Sequence, residues 1–346
     1  MTSYFFQNYL ELQIETNGHN QFKKYFDNEY VRINETNRSK KKPSHKVRLE
    51  MVDQLPDDLP KSAIVKREKF KKLFNFEYAI VGEGTDDAVI YFRNHPVSKI
   101  YTTAVGVFVQ AQVLEPVMYL SFLKQGIFFM HSAGVSKDGQ AYVFPAYGGT
   151  GKTTTSMSLL SKGYSFLGDD LLIIDPANAK VFPYPRPLHI FTYNVRNLHG
   201  AKIPTHVTGI IYFKNVLRFF LEKVLRTEFL ISTRVHADDI IPDLALSEPV
   251  KLHHVIFLKK AGDSETIKLS SDKLIKEHAK NIVVSADLNE SLFRILNNKK
   301  REKEIHDMEV DVAGNMLRKA NYFGYLNTRK IDLAEAEKYI QDVEAK

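Results

Sequence analysis

The chain has 346 residues, 44% of them hydrophobic, with no cysteine and a formal net charge of +7. That apolar content can bury one sizeable core or two modest ones, and zero cysteine excludes disulfides and thiolate metal sites and fits a reducing compartment. The positive excess clusters at Arg38, Lys40, Lys41, Lys42, Lys46 and Arg48, and again at Lys299, Lys300, Arg301 and Lys303. Neither cluster interleaves aromatic residues, so nucleic acid is disfavoured; solvated linkers or attraction for an acidic partner fit better.

In chain order, residues 1–50 mix aromatics with Asn, Glu and Lys and end in NRSKKKPSHK. They read as a small appended region followed by a flexible basic linker. No basic-then-apolar signal peptide opens the chain, which favours a cytoplasmic protein. DAVIYFR (87–93) and KIYTTA (99–104) read as strands, and VFVQAQVLEPVMYLSFLKQ (107–125) as a helix closed by Gly126 and kinked or divided by Pro116. IFFMHSAGV (127–135) and QAYVFPA (140–146) are two strands joined by Lys137-Asp138-Gly139, an Asp-Gly hairpin turn. That hairpin beside a strand-helix-strand crossover predicts a mixed sheet.

A Gly-rich turn follows, Tyr147-Gly148-Gly149-Thr150-Gly151-Lys152-Thr153-Thr154, then the helix SMSLLSKG ended by Gly163, and the strand YSFLGDDLLIID (164–175). Three glycines in 148–151 let successive backbone N–H groups converge on a polyphosphate, and the helix adds its unpaired N-terminal amides. Lys152 suits the β- and γ-phosphates, and the Thr153 hydroxyl suits magnesium. Ala146 stands where the strict Walker A pattern has its first glycine. Asp169 and Asp170 are neighbours, so in a strand they point to opposite faces, one toward the metal and the other toward an acceptor. His131, at a strand end, is either a rim residue or a catalytic one.

Further on, Arg186 in PYPRPLHI (183–190) is either a phosphate clamp or part of a rigid Pro-flanked turn. No apolar run reaches transmembrane length without a charge. The nearest, GIIYFKNVLRFFLEKVLRTEFLI (209–231), carries Lys214, Arg218, Glu222, Lys223 and Arg226, which favours a packed amphipathic helix over membrane contact. KLHHVIFLKK, within 250–260, reads as a core strand in which His253-His254 is packing rather than a metal pair. The expected division is an appended region over 1–70, a nucleotide-binding core over 71–290 and a charged helical region over 291–346.

His131, the P-loop Gly148-Gly149-Thr150-Gly151-Lys152-Thr153 and Gly168-Asp169-Asp170 together resemble the kinase core of HPr kinase/phosphorylase. The GGTGKTTTS and GDD wording also resembles ATP-dependent phosphoenolpyruvate carboxykinase. The resemblance covers about residues 70–190. It implies an α/β fold with a mixed-sheet P-loop kinase core, and a homo-oligomer as an open alternative. It also implies an ATP-dependent kinase with magnesium as cofactor. In that scheme Asp169 is the general base oriented by His131, and Asp170 holds magnesium with Thr153, with the two aspartates open to exchange. No counterpart of the loop that grips the HPr substrate is visible. The expected activity is γ-phosphoryl transfer from ATP to a hydroxyl on a protein, a peptide or a small metabolite. The alternative is a nucleotide-binding regulatory module. Carboxykinase chemistry is a third reading, for which the remaining ligands are not found.

Overall fold

Residues 1–15 alternate apolar side chains closely enough to form a hairpin, β1 (Thr2–Phe6) against β2 (Leu10–Glu15), with Gln7 at φ 54° in its turn. In the computed structural model, the described residues are 1–37, 41–70, 74–99, 101–190, 205–225, 233–241, 243–285, 288–329 and 336–344. Helix α1 (Asn20–Thr36) presents Phe22, Phe26, Tyr30 and Ile33 on one buried face, the spacing of an amphipathic helix. Strands β3 (His45–Val52), β4 (Ile64–Phe70), β5 (Phe74–Val81) and β6 (Asp87–Arg93) complete a six-stranded mixed sheet of order β1-β2-β3-β6-β5-β4.

Two expectations change here. His45–Val52, read partly as linker, is an internal strand with parallel partners on both sides, and it buries Val47, Leu49 and Met51. Its alternation is masked in sequence by the outward Lys46, Arg48 and Glu50. The boundary expected at residue 70 falls between the paired strands β4 and β5. Of the first basic cluster, Arg38 and Lys40 lie outside the described residues.

KIYTTA does not form the expected strand in its described residues: Ile100 lies outside them, Lys99 ends a 3₁₀ turn at Pro96–Lys99, and Thr102–Ala104 open helix α2 (Thr102–Val109). Its β-branched residues favour a strand locally, but Val105 and Val109 continue a buried helical stripe that overrides them. A single π turn over Gln110–Leu114 links α2 to α3 (Glu115–Leu123). The wide turn sits just before Pro116, which has no N–H to donate, so Pro116 divides the helix without ending it. The fully buried Gln110 accepts from Tyr25 Oη at 2.7 Å and donates to Tyr30 Oη at 3.0 Å. Gly126, at φ 71°, closes α3 with the paired bonds Ile127 N to Phe122 O and Gly126 N to Leu123 O. The run Thr102–Leu123 is the one helix among the described residues long and apolar enough to cross a membrane, and 78% of its window is buried.

The second sheet has eight strands: β7 (Phe128–Lys137), β8 (Gln140–Pro145), β9 (Ser165–Gly168), β10 (Leu171–Asp175), β11 (Lys180–Phe182), β14 (Val250–Lys259), β15 (Glu265–Thr266) and β16 (Tyr322–Asn327). Two short strands, β12 (Leu188–Ile190) and β13 (Thr233–Val235), pair separately. The main order is β11-β10-β7-β8-β14-β16-β15, with β9 also on β7. β7 and β8 form the expected antiparallel hairpin, with Asp138 at φ 52° and Gly139 at φ 74°, the two positive φ values of a type I′ turn. β8 and β16 flank β14 in parallel, so the sheet is mixed.

His254 of β14 is fully buried and stacked between Tyr142 of β8 and Tyr322 of β16, with ring centroids at 4.8 and 4.6 Å. Its neighbour His253, expected to be exposed, is half-buried, with its Nδ1 2.7 Å from His254 Nδ1.

The helices of this half are α4 (Lys152–Leu160) and α5 (Thr205–Leu225). Helix α5 forms where expected, but it is not packed as expected. Ile211 is buried, while Phe213, Val216, Phe219 and Phe220 are each more than 60% exposed. Residues 226–231 of that segment lie outside the described residues. Helices α6 (Asp272–Val284), α7 (Leu288–Leu296), α8 (Lys299–Lys319) and α9 (Ala336–Glu344) follow. The region expected to be helical therefore also supplies β16, a strand of six residues too short to show its period beside charged helices.

The molecule is thus mixed α/β. It divides into two compact units: 1–129, 173–178 and 275–316 form one, and 130–172, 179–274 and 317–346 the other. Both are discontinuous, unlike the three consecutive regions expected.

Candidate phosphate-binding site

Strand β8 ends at Pro145, and Ala146 continues its direction in a parallel bridge to Leu258. Ala146 is fully buried and has no positive φ, so glycine is not required at this position. The turn itself depends on Gly149 at φ 70° and Gly151 at φ 105°, conformations that side chains with a Cβ rarely adopt. Thr150 braces it by donating from Oγ1 to the Tyr147 carbonyl at 2.7 Å. Gly151 then caps α4, whose first-turn amides have no helical acceptor. The result is a set of backbone donors at the positive end of a helix dipole, suited to an anion.

Lys152 is 9% exposed, and its Nζ donates to the Ala146 carbonyl at 3.0 Å. The ammonium is thereby folded back along the loop, where a phosphate offers a stronger acceptor than a neutral carbonyl. Thr153 and Ser156, three residues apart on one face of α4, both address Asp169. Thr153 Oγ1 donates to Asp169 Oδ2 at 2.8 Å and Ser156 Oγ to Oδ1 at 3.1 Å. Thr154 is half-buried. Burial pushes the Asp169 carboxyl up to about 6, and the Asp170 charge adds to that; Thr153, Lys152 and Ser156 oppose it.

Asp169 and Asp170 lie between two strands rather than inside one. The run 164–175 breaks into β9 and β10, with a bend at the two aspartates. Gly168 is needed just before the bend, because a Cβ there would come within 2.9 Å of the Leu171 carbonyl and 3.0 Å of the Tyr184 carbonyl. The bend sends the two carboxylates to different partners. Asp170, with its side chain 51% exposed, places Oδ1 at 3.3 Å from His131 Nε2 on β7, whose side chain is 14% exposed. A backbone bond from Ser132 N to the Asp170 carbonyl, 3.1 Å, ties the two elements together.

The expected residues thus converge, but in exchanged pairs. The resemblance joined His131 to Asp169 and Thr153 to Asp170; the structure joins Thr153 to Asp169 and His131 to Asp170. Strand alternation does not apply at this bend; the bend itself separates the carboxylates and decides which goes where. Ser156 was missed, although its spacing from Thr153 was a readable signal. Lys260 was also missed: it is exposed, and its Nζ lies 3.9 Å from where a Cβ on Gly149 would stand. No sequence pattern near the loop announces it. Arg186 is buried, with its guanidinium 5.7 Å from the Tyr184 ring centre.

Among the described residues no group of three or more His, Cys, Asp or Glu side chains gathers as a metal site. The paired oxygens of Thr153 and Asp169 are hard donors. Two such ligands suit magnesium, which keeps several waters and completes its shell with phosphate oxygens.

No protein-family model matches the chain, and no curated protein matches it.

Proposed function

We propose that this chain is a magnesium-dependent ATP phosphotransferase with a P-loop kinase core of the HPr kinase type, acting on a hydroxyl acceptor. The observation that carries the reading is the pair of carboxylates divided by the bend at 169–170. One is bonded to the Thr153 and Ser156 hydroxyls of α4, and the other is exposed beside His131.

In this reading the amides of 148–153 hold the ATP tail, and Lys152 leaves the Ala146 carbonyl for the β- and γ-phosphates. Thr153 and Asp169 would hold magnesium, which supplies positive charge to the transferring phosphoryl oxygens. Asp170 is then the general base, and His131 holds its carboxylate in place. The acceptor oxygen bonds to the γ-phosphorus as the bond to the β-phosphate oxygen breaks. The acceptor proton passes to the Asp170 carboxylate, and ADP leaves.

The test separates binding from transfer. Magnesium-ATP at about a hundred times its Kd should stabilise the protein by about 2.7 kcal/mol, and Lys152→Ala should remove that gain. Asp170→Asn should keep the gain and lower transfer to an acceptor pool by a factor of about 10²–10⁴. A protein that magnesium-ATP does not stabilise rules out the nucleotide site. Stabilisation with transfer unchanged in Asp170→Asn rules out the base.

A further inference from the structure

We propose that α5 forms an isologous interface with the α5 of a second copy of this chain. The helix meets its own unit through one stripe: Ile211 is buried, Val207 packs on the same core, and Lys214 is half-buried one turn further on. The spacing 207, 211, 214 accounts for one side of the helix. The other side carries Ile210, Tyr212, Phe213, Val216, Leu217, Phe219 and Phe220, with exposures of 44, 47, 69, 68, 39, 69 and 61%. Phe213, Val216, Leu217 and Phe220 form its central row, at i, i+3, i+4 and i+7.

Area points to the occupant. Aromatic side chains bury about 150–250 Å² each and the aliphatic ones less, so these exposures amount to roughly 700 Å² of largely apolar surface. That exceeds the roughly 300–600 Å² of the largest patch on an ordinary monomer. It matches the roughly 800 Å² per partner of a standard stable interface.

A two-fold axis lays this row against itself, apolar on apolar, and exposed aromatic side chains are the usual anchors of such contacts. A lipid surface is the poorer fit. An interfacial helix keeps a cationic face in water, whereas Val207 and Ile211, on the described side of α5 away from the apolar row, pack on the core of its own unit. Among its described side chains, Lys223 is exposed and Lys214 is half-buried.

The proposal does not depend on the nucleotide reading, since its readout is mass. Sedimentation of the full chain at about 100 μM, above the micromolar Kd that caps such interfaces, should give a dimer. Phe213→Glu with Phe220→Glu should give a monomer, by a loss of about 100-fold or more in association. The matched Phe→Leu pair should remain dimeric. Circular dichroism identical to the parent shows that both variants fold. A monomeric parent at that concentration overturns the proposal, as does a Glu variant with the parent's dimer constant. So does a parent that is monomeric and floats with anionic vesicles.

Discussion

Asp169 is held where its charge is expensive, and replacing it should make the ligand-free protein more stable. Its carboxyl is raised from 3.8 to about 6, chiefly by burial. The folded state therefore holds the proton more tightly than the unfolded chain does. The stability tied to this group is fully present below about pH 4 and is lost as pH rises through about 6. A shift of two pH units corresponds to about 3 kcal/mol; residual solvent access at the half-buried side chain reduces this to about 2. Asp169→Asn keeps a carbonyl for Thr153 and removes the charge. It should gain about 1–2 kcal/mol near pH 8 in chelator, several degrees in Tm, and almost nothing near pH 4. Urea unfolding of parent and variant at both pH values measures this, because titrating groups not coupled to Asp169 cancel in the difference. The same variant should lose the magnesium-dependent part of ATP stabilisation. A variant less stable than the parent near pH 8, or equally stabilised at both pH values, would refute the reasoning.

Three further outcomes follow from particular contacts. Lys260→Ala should weaken ATP binding by about 3–10-fold in calorimetry and leave adenosine binding alone, as expected for one exposed cation beside a phosphate loop; equal losses for both would sink that role. His254 is held at about 3 by burial and by His253. Its depressed value gives stability that is present above about 6.5 and is lost as pH falls toward 3, on the order of 4 kcal/mol in full. His254→Phe, which keeps the stack between the tyrosines, should flatten the acid limb of the stability profile, and an unchanged limb would contradict the assignment. Tyr119→Phe removes the donor at 2.6 Å from the buried Glu309 carboxylate. It should cost about 2–3 kcal/mol in urea unfolding, and a cost within experimental error would mean that Glu309 is otherwise satisfied.

Features written over short stretches were legible. The hairpin at Asp138-Gly139, the helix stop at Gly126 and the glycine-rich turn at 148–151 each depend on a few consecutive φ values, and glycine announces them. KLHHVIFLKK was readable as a core strand because it is apolar on both faces, as a strand between two parallel neighbours must be. KIYTTA was misread because its β-branched residues carry a local preference that burial of Val105 and Val109 overrode. His45–Val52 was hidden by charged side chains on its outer face.

The sequence by itself determined the local pieces: a glycine-rich turn, a lysine and a hydroxyl after it, and two adjacent carboxylates. Only the tertiary structure decided which carboxylate met which partner, because that depends on the bend between β9 and β10 and on the position of β7. It alone brought Lys260 over a loop more than a hundred residues earlier in the chain, and it alone left the apolar row of α5 uncovered. Such placements depend on how strands pair and helices dock over long separations, and hydrophobic periodicity says which face is apolar but not what lies against it.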